Sequence, residues 1–137
     1  MKYNIVLIPI IFNNAHEILL IRRWRDPEKG KWSLPGGIGA LEMQPNPMLA
    51  VLNEVKSELG VDFVDCKLFT TKYTGIPEPT LFLYFYGNIQ GTVQTNKEYG
   101  SQEFKWLAID EALNIDIAFE EKDKEVIKCF KEQILSG

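Results

Sequence analysis

Two kinds of apolar pattern alternate along this chain of 137 residues. Short runs rich in Ile, Leu, Val and aromatic residues are separated by turn residues, as is typical of strands. Two longer stretches place apolar residues at helical spacing instead. The predicted strands are 3–12, 17–22, 32–34, 66–73, 80–86 and 103–108, and residues 92–95 are considered as a further one.

The first helical stretch has start and stop signals at its two ends. Asn46 can cap free backbone N–H groups, and Pro47 suits the first helical position because it has no N–H to satisfy. Gly60 supplies the stop. The apolar stripe between them consists of Met48, Val51, Leu52, Val55 and Leu59. The pattern predicts a helix that packs on a core, with Glu54 and Glu58 at the edge of its apolar stripe.

The second helical stretch, at about 120–135, has acidic residues early and lysines later, as the helix dipole favours. Its apolar residues are Val126, Ile127, Phe130 and Ile134. A short helical turn is expected at 109–113, before this stretch. Strands on both sides of a central helix, followed by a terminal helix, indicate an α/β fold. We expect one domain over 1–137, an α/β/α sandwich with a mixed sheet and helices on both faces.

Composition and charge narrow the classes of partner. The chain is 45% hydrophobic with a formal net charge of −4 and no run of Lys and Arg, which argues against a duplex nucleic acid partner. The apolar run 5–12 is short and contains Pro9, so we interpret it as a core strand, not a membrane segment. Cys66 and Cys129 are too few for a disulfide scaffold and are expected to be free. A cytoplasmic location is the expectation.

The candidate chemistry lies in two acidic residues that follow a glycine turn. Glu54 and Glu58 are four residues apart, about 40° on a helical projection, so both can point into one cleft. Their like charges would repel unless a cation lay between them. Paired glutamates are more often a solvated acidic face, but the upstream turn at 35–37 favours a metal role here.

These residues resemble the Nudix box, whose pattern is G-x5-E-x7-R-E-U-x-E-E-x-G-U with U aliphatic. The resemblance rests on residues 35–37 and 53–61 and extends to 19–23, 31–34 and 103–106. It implies the α/β/α sandwich and hydrolysis of a phosphoric anhydride bond in a nucleoside diphosphate linked to another moiety, with Mg²⁺ or Mn²⁺. The expected partner is a small-molecule nucleotide. Homodimers are common in the family, but no dimer surface is evident in the sequence.

The match to the box is incomplete. By resemblance, Glu54 and Glu58 occupy metal-ligand positions and are the candidate catalytic residues, and Glu54 could serve as ligand or general base. Ser57 stands where the family has a glutamate, and Asn53 where it has the arginine. The segment from Gly37 to the helix is two residues longer than the pattern. A nucleotide-binding or regulatory module with little or no catalysis is therefore the alternative.

Further site residues are expected from the same resemblance. Glu98 and Glu103 precede Trp106, and either could supply a third carboxylate, Glu98 as a metal ligand or Glu103 as a catalytic residue. The remaining four positions are expected to bind substrate: two glycines through their backbone, an arginine through its charge and a phenylalanine through its ring. They are Gly36, Gly37, Arg23 and Phe119, with Gly37 also considered for the metal. Strand alternation leaves open whether Arg22 or Arg23 faces the site.

Overall fold

The structure is a computed structural model that describes residues 2–23, 26–38, 40–95 and 101–136, without the side chains of 38, 101 and 102. Its strands are β1 (Asn4–Ile11), β2 (Glu17–Arg23), β3 (Trp32–Ser33), β4 (Gly37–Ile38), β5 (Asp62–Thr74), β6 (Thr80–Gln90) and β7 (Ser101–Ala108). Its helices are α1 (Ala40–Met43), α2 (Pro47–Leu59), α3 (Ile109–Ala112) and α4 (Glu120–Phe130). A π-helical turn over Lys131–Leu135 extends α4.

The strands form two sheets. The first has the order β4-β1-β6-β5 and is mixed, because β1 and β6 run parallel while the other neighbours run antiparallel. The second is antiparallel, with the order β3-β2-β7. Phe12, directly after β1, forms an isolated antiparallel bridge with Ile18 of β2, and the two strands belong to separate sheets. The expected mixed sheet is therefore four-stranded and is accompanied by a second sheet.

Two hydrophobic cores lie on opposite sides of these sheets. Successive side chains of a strand point to opposite faces, so Ile8 and Ile10 of β1 join one core while Leu7 and Ile11 join the other. The first core includes Val126, Ile127 and Phe130 of α4, and the second includes Ala50, Val51, Val55 and Leu59 of α2. Helices thus cover both faces, which confirms the predicted α/β/α sandwich.

The strand considered at 92–95 is wrong. Gly91 takes a left-handed conformation with φ +114°, and the N–H of Gln94 donates to the carbonyl of Leu59 at 2.8 Å. The segment therefore lies against the C-terminal end of α2 and satisfies one of the free carbonyl groups of that helix. Strands β5 and β6 are longer than predicted, because pairing across the sheet extends them to polar residues at their ends.

No helix in the described part of the chain is long and apolar enough to cross a membrane. Cys66 and Cys129 are free thiols, as predicted.

Candidate functional site

Helix α2 carries the two acidic residues of the site and is fixed at both ends. The Asn46 side chain accepts a hydrogen bond from Leu49 N–H at 3.2 Å, which caps the first turn. Gly60 has φ +71° and donates its N–H to the carbonyl of Lys56 at 2.9 Å. Both ends lie where the sequence predicts them. With the ends set and one face packed on the core, the rotation of the acidic side chains about the helix axis is determined.

Glu58 is buried, with a relative exposure of 1%. The helical spacing predicts it at the edge of the apolar stripe, whereas the structure places it inside the buried face. The backbone of Gly36 favours the charged form of its carboxylate, while Oε1 has no hydrogen-bond partner among the described residues. Burial, and then the charge of Glu54, raise the pKa of Glu58 to about 8, against the opposing effects of Gly36 and Arg23.

Glu54 lies one turn before Glu58 and is half-buried. Its carboxylate packs against the glycine turn, since a Cβ built on Gly37 would lie 2.8 Å from Glu54 Oε1. Burial raises the pKa of Glu54 as well. Glu54 and Glu58 are therefore two neighbouring acids beside the glycine turn, and the ionised form of each is disfavoured.

The glycine turn is fixed against β1. Gly36 has φ +148°, and a Cβ on it would lie 2.8 Å from the backbone carbonyl of Leu7. A side chain at Gly36 would therefore strain the backbone and collide with β1. Gly37 is the first residue of β4 and pairs with Leu7 of β1, so the glycine turn leads directly into the first sheet.

Arg23 is the last residue of β2 and lies beside Phe119. The pairing register of β2 with β7 shifts between Arg22 and Arg23, and Arg22 forms an ion pair with Glu103 of β7. The positive charge of Arg23 lowers the pKa of Glu58, its Nε donates to the carbonyl of Pro27 at 2.7 Å, and its guanidinium lies 4.9 Å from the Phe119 ring centroid. Arg23, and not Arg22, is therefore the arginine that lies near Phe119 and influences Glu58.

Phe119 lies at the start of α4 beside a second cation. Lys122 Nζ is 5.5 Å from the Phe119 ring centroid and 4.2 Å from that of Phe82. The same Nζ donates to Asp123 Oδ1 at 2.5 Å and to Tyr84 Oη at 3.0 Å. Phe119 therefore lies between two cations. Arg23 acts on the charge of Glu58, and Lys122 bonds to Tyr84 and Asp123.

The sequence reasoning missed Lys122 and Asp123. Both lie among charged residues in the first turn of α4, where no local signal separates them from solvent-exposed neighbours. Asp123 is only 2% exposed, because Tyr84 of β6 donates its hydroxyl to Asp123 Oδ1 at 2.7 Å. That contact joins residues 39 positions apart, so only the tertiary fold reveals it.

Among the described residues, the predicted carboxylate of Glu103 is not brought together with this pair. Glu103 forms an exposed ion pair with Arg22 at 3.1 Å, and Glu98 lies outside the described residues. Ser57 is exposed on α2. Across the described ranges, no group of three or more His, Cys, Asp or Glu side chains could hold a metal ion. The site therefore presents two carboxylates, a glycine turn and an arginine.

Comparison with known proteins decides the family. The family model for the NUDIX domain matches residues 1–130. The chain belongs to the NUDIX family. The resemblance of its box is thereby confirmed, and the family contains MutT-like hydrolases with this fold.

Among curated proteins, this NUDIX chain is similar to the ADPR responsive transcriptional repressor NtrR of Acinetobacter baylyi. The two are 26% identical over 110 residues, which cover 78% of this chain and 44% of the repressor. The chain thus spans less than half the length of that relative.

Among solved structures, the NUDIX domain of Shewanella oneidensis NrtR complexed with ADP ribose matches with a TM-score of 0.82 at 16% identity, covering 98% of this chain and 90% of that one. A MutT protein from Methanosarcina mazei matches with a TM-score of 0.80 at 23% identity, covering 96% and 95%. At these identities the likeness shows the shared fold.

Proposed function

We propose that this protein hydrolyses a phosphoric anhydride bond in a nucleoside diphosphate linked to another moiety, with Mg²⁺ or Mn²⁺ as cofactor. The observation that carries the proposal is the buried acid Glu58, which lies beside a second acid, Glu54. One of its carboxylate oxygens has no hydrogen-bond partner in the part of the chain that the structure describes. A buried carboxylate oxygen without a hydrogen-bond partner is costly, and functional sites are where such groups are retained.

The donor set fits a hard divalent cation. Glu54 and Glu58 offer carboxylate oxygens, and we assign the Gly37 backbone as a further contact, because Mg²⁺ and Mn²⁺ prefer oxygen ligands. A cation here would satisfy the unpartnered oxygen of Glu58 and relieve the repulsion from Glu54. When bound, such an ion neutralises phosphate charge and lowers the pKa of coordinated water.

Two further residues are proposed to bind different parts of the substrate. We assign Arg23 to the phosphate oxygens, since a guanidinium offers several donors in a fixed plane. We assign the ring of Phe119 to the nucleoside, and the proximity of the Arg23 guanidinium, 4.9 Å from the ring centroid, supports a shared ligand. We propose Glu54 as metal ligand or general base, and we assign the place left by Ser57 to Glu98 or Glu103. A pair of Gln variants at those two positions distinguishes them.

The test is a panel of nucleotides, including ADP-ribose, nucleotide sugars and dinucleoside polyphosphates, assayed with Mg²⁺ and with EDTA. We expect release of phosphate or a nucleoside monophosphate from at least one compound, and only when the cation is present. A panel with no turnover in either Mg²⁺ or Mn²⁺ would contradict the proposal.

The second candidate is a nucleotide-binding module with little or no turnover. Ser57 supports it, because a neutral hydroxyl is a weak metal ligand beside a carboxylate. The names of the relatives support it as well, since one is an ADPR responsive repressor and another was solved with ADP ribose. Calorimetry that detects ADP-ribose binding together with a dead panel would favour this candidate.

Substitution of Ser57 by glutamate is expected to raise turnover at least threefold. The change restores a carboxylate next to Glu58, so a second cation or a tighter first one can be held. The measurement is kcat at saturating Mg²⁺ for the best compound of the panel. Gln133→Glu is the control, because it adds the same charge at an exposed position of the π-helical turn after α4 and should leave turnover unchanged. Unchanged turnover in Ser57→Glu would mean that another residue already fills the place.

Substitution of Gly37 by alanine is expected to weaken Mn²⁺ binding about tenfold or more, equivalent to about 1.4 kcal/mol. The new Cβ would lie 2.8 Å from Glu54 Oε1, so the flexible carboxylate must move away from the turn. The melting temperature should change little. Gly36→Ala is the contrast, because its Cβ meets the rigid backbone of Leu7 and should lower stability instead. Calorimetric titration with Mn²⁺ and thermal unfolding check both effects.

A further inference from the structure

The loop between β2 and β3 packs against the segment that leads into α4. Glu28 of this loop accepts a hydrogen bond from the backbone N–H of Phe119, with 2.5 Å between Oε2 and N. Its other carboxylate oxygen lies 3.2 Å from Lys31 Nζ, which also lies 3.7 Å from Asp116. One side chain thus joins the loop to the residue that we assign to the nucleoside.

Phe119 depends on this support. It has φ +56°, a left-handed conformation that costs free energy for a residue with a bulky side chain. It is also the N-cap of α4 and makes no capping bond with its own side chain. Glu28 satisfies the Phe119 N–H and so helps to hold the backbone conformation that directs the ring.

The same loop also orients Arg23. The carbonyl of Pro27 accepts a hydrogen bond from Arg23 Nε at 2.7 Å, and the guanidinium lies 4.9 Å from the Phe119 ring centroid. Two consecutive residues of the loop therefore hold the pair: Pro27 binds the Arg23 guanidinium, and Glu28 binds the backbone of Phe119. Such preorganisation removes part of the ordering cost that ligand binding would otherwise carry.

We infer that Glu28 is a positioning residue for nucleotide binding: it holds the Phe119 ring beside Arg23 through the Phe119 N–H. The inference rests on the proposed function, because it takes Phe119 and Arg23 to contact the ligand. Glu28 acts on affinity and not on the bond-breaking step, since it touches the backbone of Phe119 and not the acidic pair.

The test compares ligand affinities by calorimetry in EDTA, where no cation supports turnover. The probe is ADP-ribose, or, if it does not bind, whichever of UDP-glucose, GDP-mannose and diadenosine tetraphosphate binds the wild type most tightly. Glu28→Met removes the acceptor at similar length and should raise Kd at least tenfold. Glu28→Gln keeps an acceptor oxygen and should stay within threefold of the wild type. Lys31→Met removes the ion pairs of Lys31 with Glu28 and Asp116 but keeps the bond between Glu28 and the Phe119 N–H, and should also stay within threefold.

Steady-state kinetics with Mg²⁺ separate positioning from a general loss of structure. Glu28→Met should raise KM at least tenfold while kcat stays within threefold of the wild type. Equal affinity of Glu28→Met and wild type, or equal weakening by Gln and Met, would overturn the inference. If Glu28→Met fails to fold, Glu28→Asp replaces it, because its shorter carboxylate keeps the charge and cannot reach the Phe119 N–H from the same backbone.

The two proposals fail in different ways. The predicted order of affinities without turnover of any compound would remove the hydrolase proposal and leave the role of Glu28 intact. Turnover by the wild type with unchanged affinity in Glu28→Met would do the reverse. If none of the four compounds binds the wild type, both proposals fall.

Discussion

Replacement of Glu58 by glutamine is expected to lower kcat by roughly a hundredfold, about 2.7 kcal/mol of activation free energy. The amide has nearly the same shape, but it cannot carry the charge that would hold the cation beside Glu54. The effect should appear equally in kcat and kcat/KM, since the substrate contacts of Arg23 and Phe119 are untouched. Steady-state kinetics on the best compound of the panel measure it.

The same substitution should stabilise the metal-free protein at alkaline pH. In the folded state the pKa of Glu58 is raised to about 8 from an ordinary value of 4.5. Between pH 4.5 and pH 8 the folded protein therefore keeps the Glu58 carboxyl protonated, whereas the unfolded chain has released that proton. The free energy of unfolding therefore falls as pH rises from 4.5 to 8, by up to about 1.4 kcal/mol per pH unit. Glu54 acts in the same direction, because its pKa is also raised.

Glu58→Gln removes the contribution of Glu58 to this pH dependence, so the stability advantage of the variant over wild type should grow from pH 5 to pH 8 and reach a few kcal/mol. Urea unfolding in EDTA at several pH values measures it. Glu111→Gln, on an exposed residue of α3, removes one negative charge away from the cleft and should leave the dependence unchanged. Saturating Mn²⁺ should reverse the order by stabilising the wild type alone. Parallel pH profiles for Glu58→Gln and wild type would contradict the assignment.

Local sequence signals were sufficient for most of the fold. The limits of α2 follow from Asn46, Pro47 and Gly60, which act on their own neighbours through caps and fixed dihedrals. The two faces of β1 follow from alternation. The division into two sheets did not follow, because it depends on β1 pairing in parallel with β6, about 75 residues away. The wrong strand at 92–95 has the same origin, since Gln94 bonds to the end of α2.

The site was predictable where a motif kept residues close in sequence. Glu54 and Glu58 share a helix turn, and the structure places both beside the glycine turn. The complete burial of Glu58 was not predictable, since it depends on how α2 packs against β1 and the turn. Glu28 gave no sequence signal, because its contact with Phe119 spans 91 residues and depends on how the loop folds back.

Removal of the buried charge of Asp123 is expected to lower stability more than any surface change on α4. Asp123→Asn should reduce the free energy of unfolding by about 3 kcal/mol, because Lys122, 14% exposed in its side chain, would keep its charge without a counterion. Burial already lowers the pKa of Lys122, even though Asp123 raises it. Urea unfolding at pH 7 measures the loss.

The double variant Lys122→Met/Asp123→Asn should cost clearly less than the sum of the two single changes, since it removes both charges and leaves neither unpaired. Glu125→Gln is the control on the same helix: it breaks an ion pair with Lys72 in which Glu125 is 65% exposed, and should cost less than about 1 kcal/mol. Additive losses in the double variant would show that Lys122 and Asp123 do not stabilise each other. A large loss in Glu125→Gln would show instead that α4 is sensitive to any change of charge.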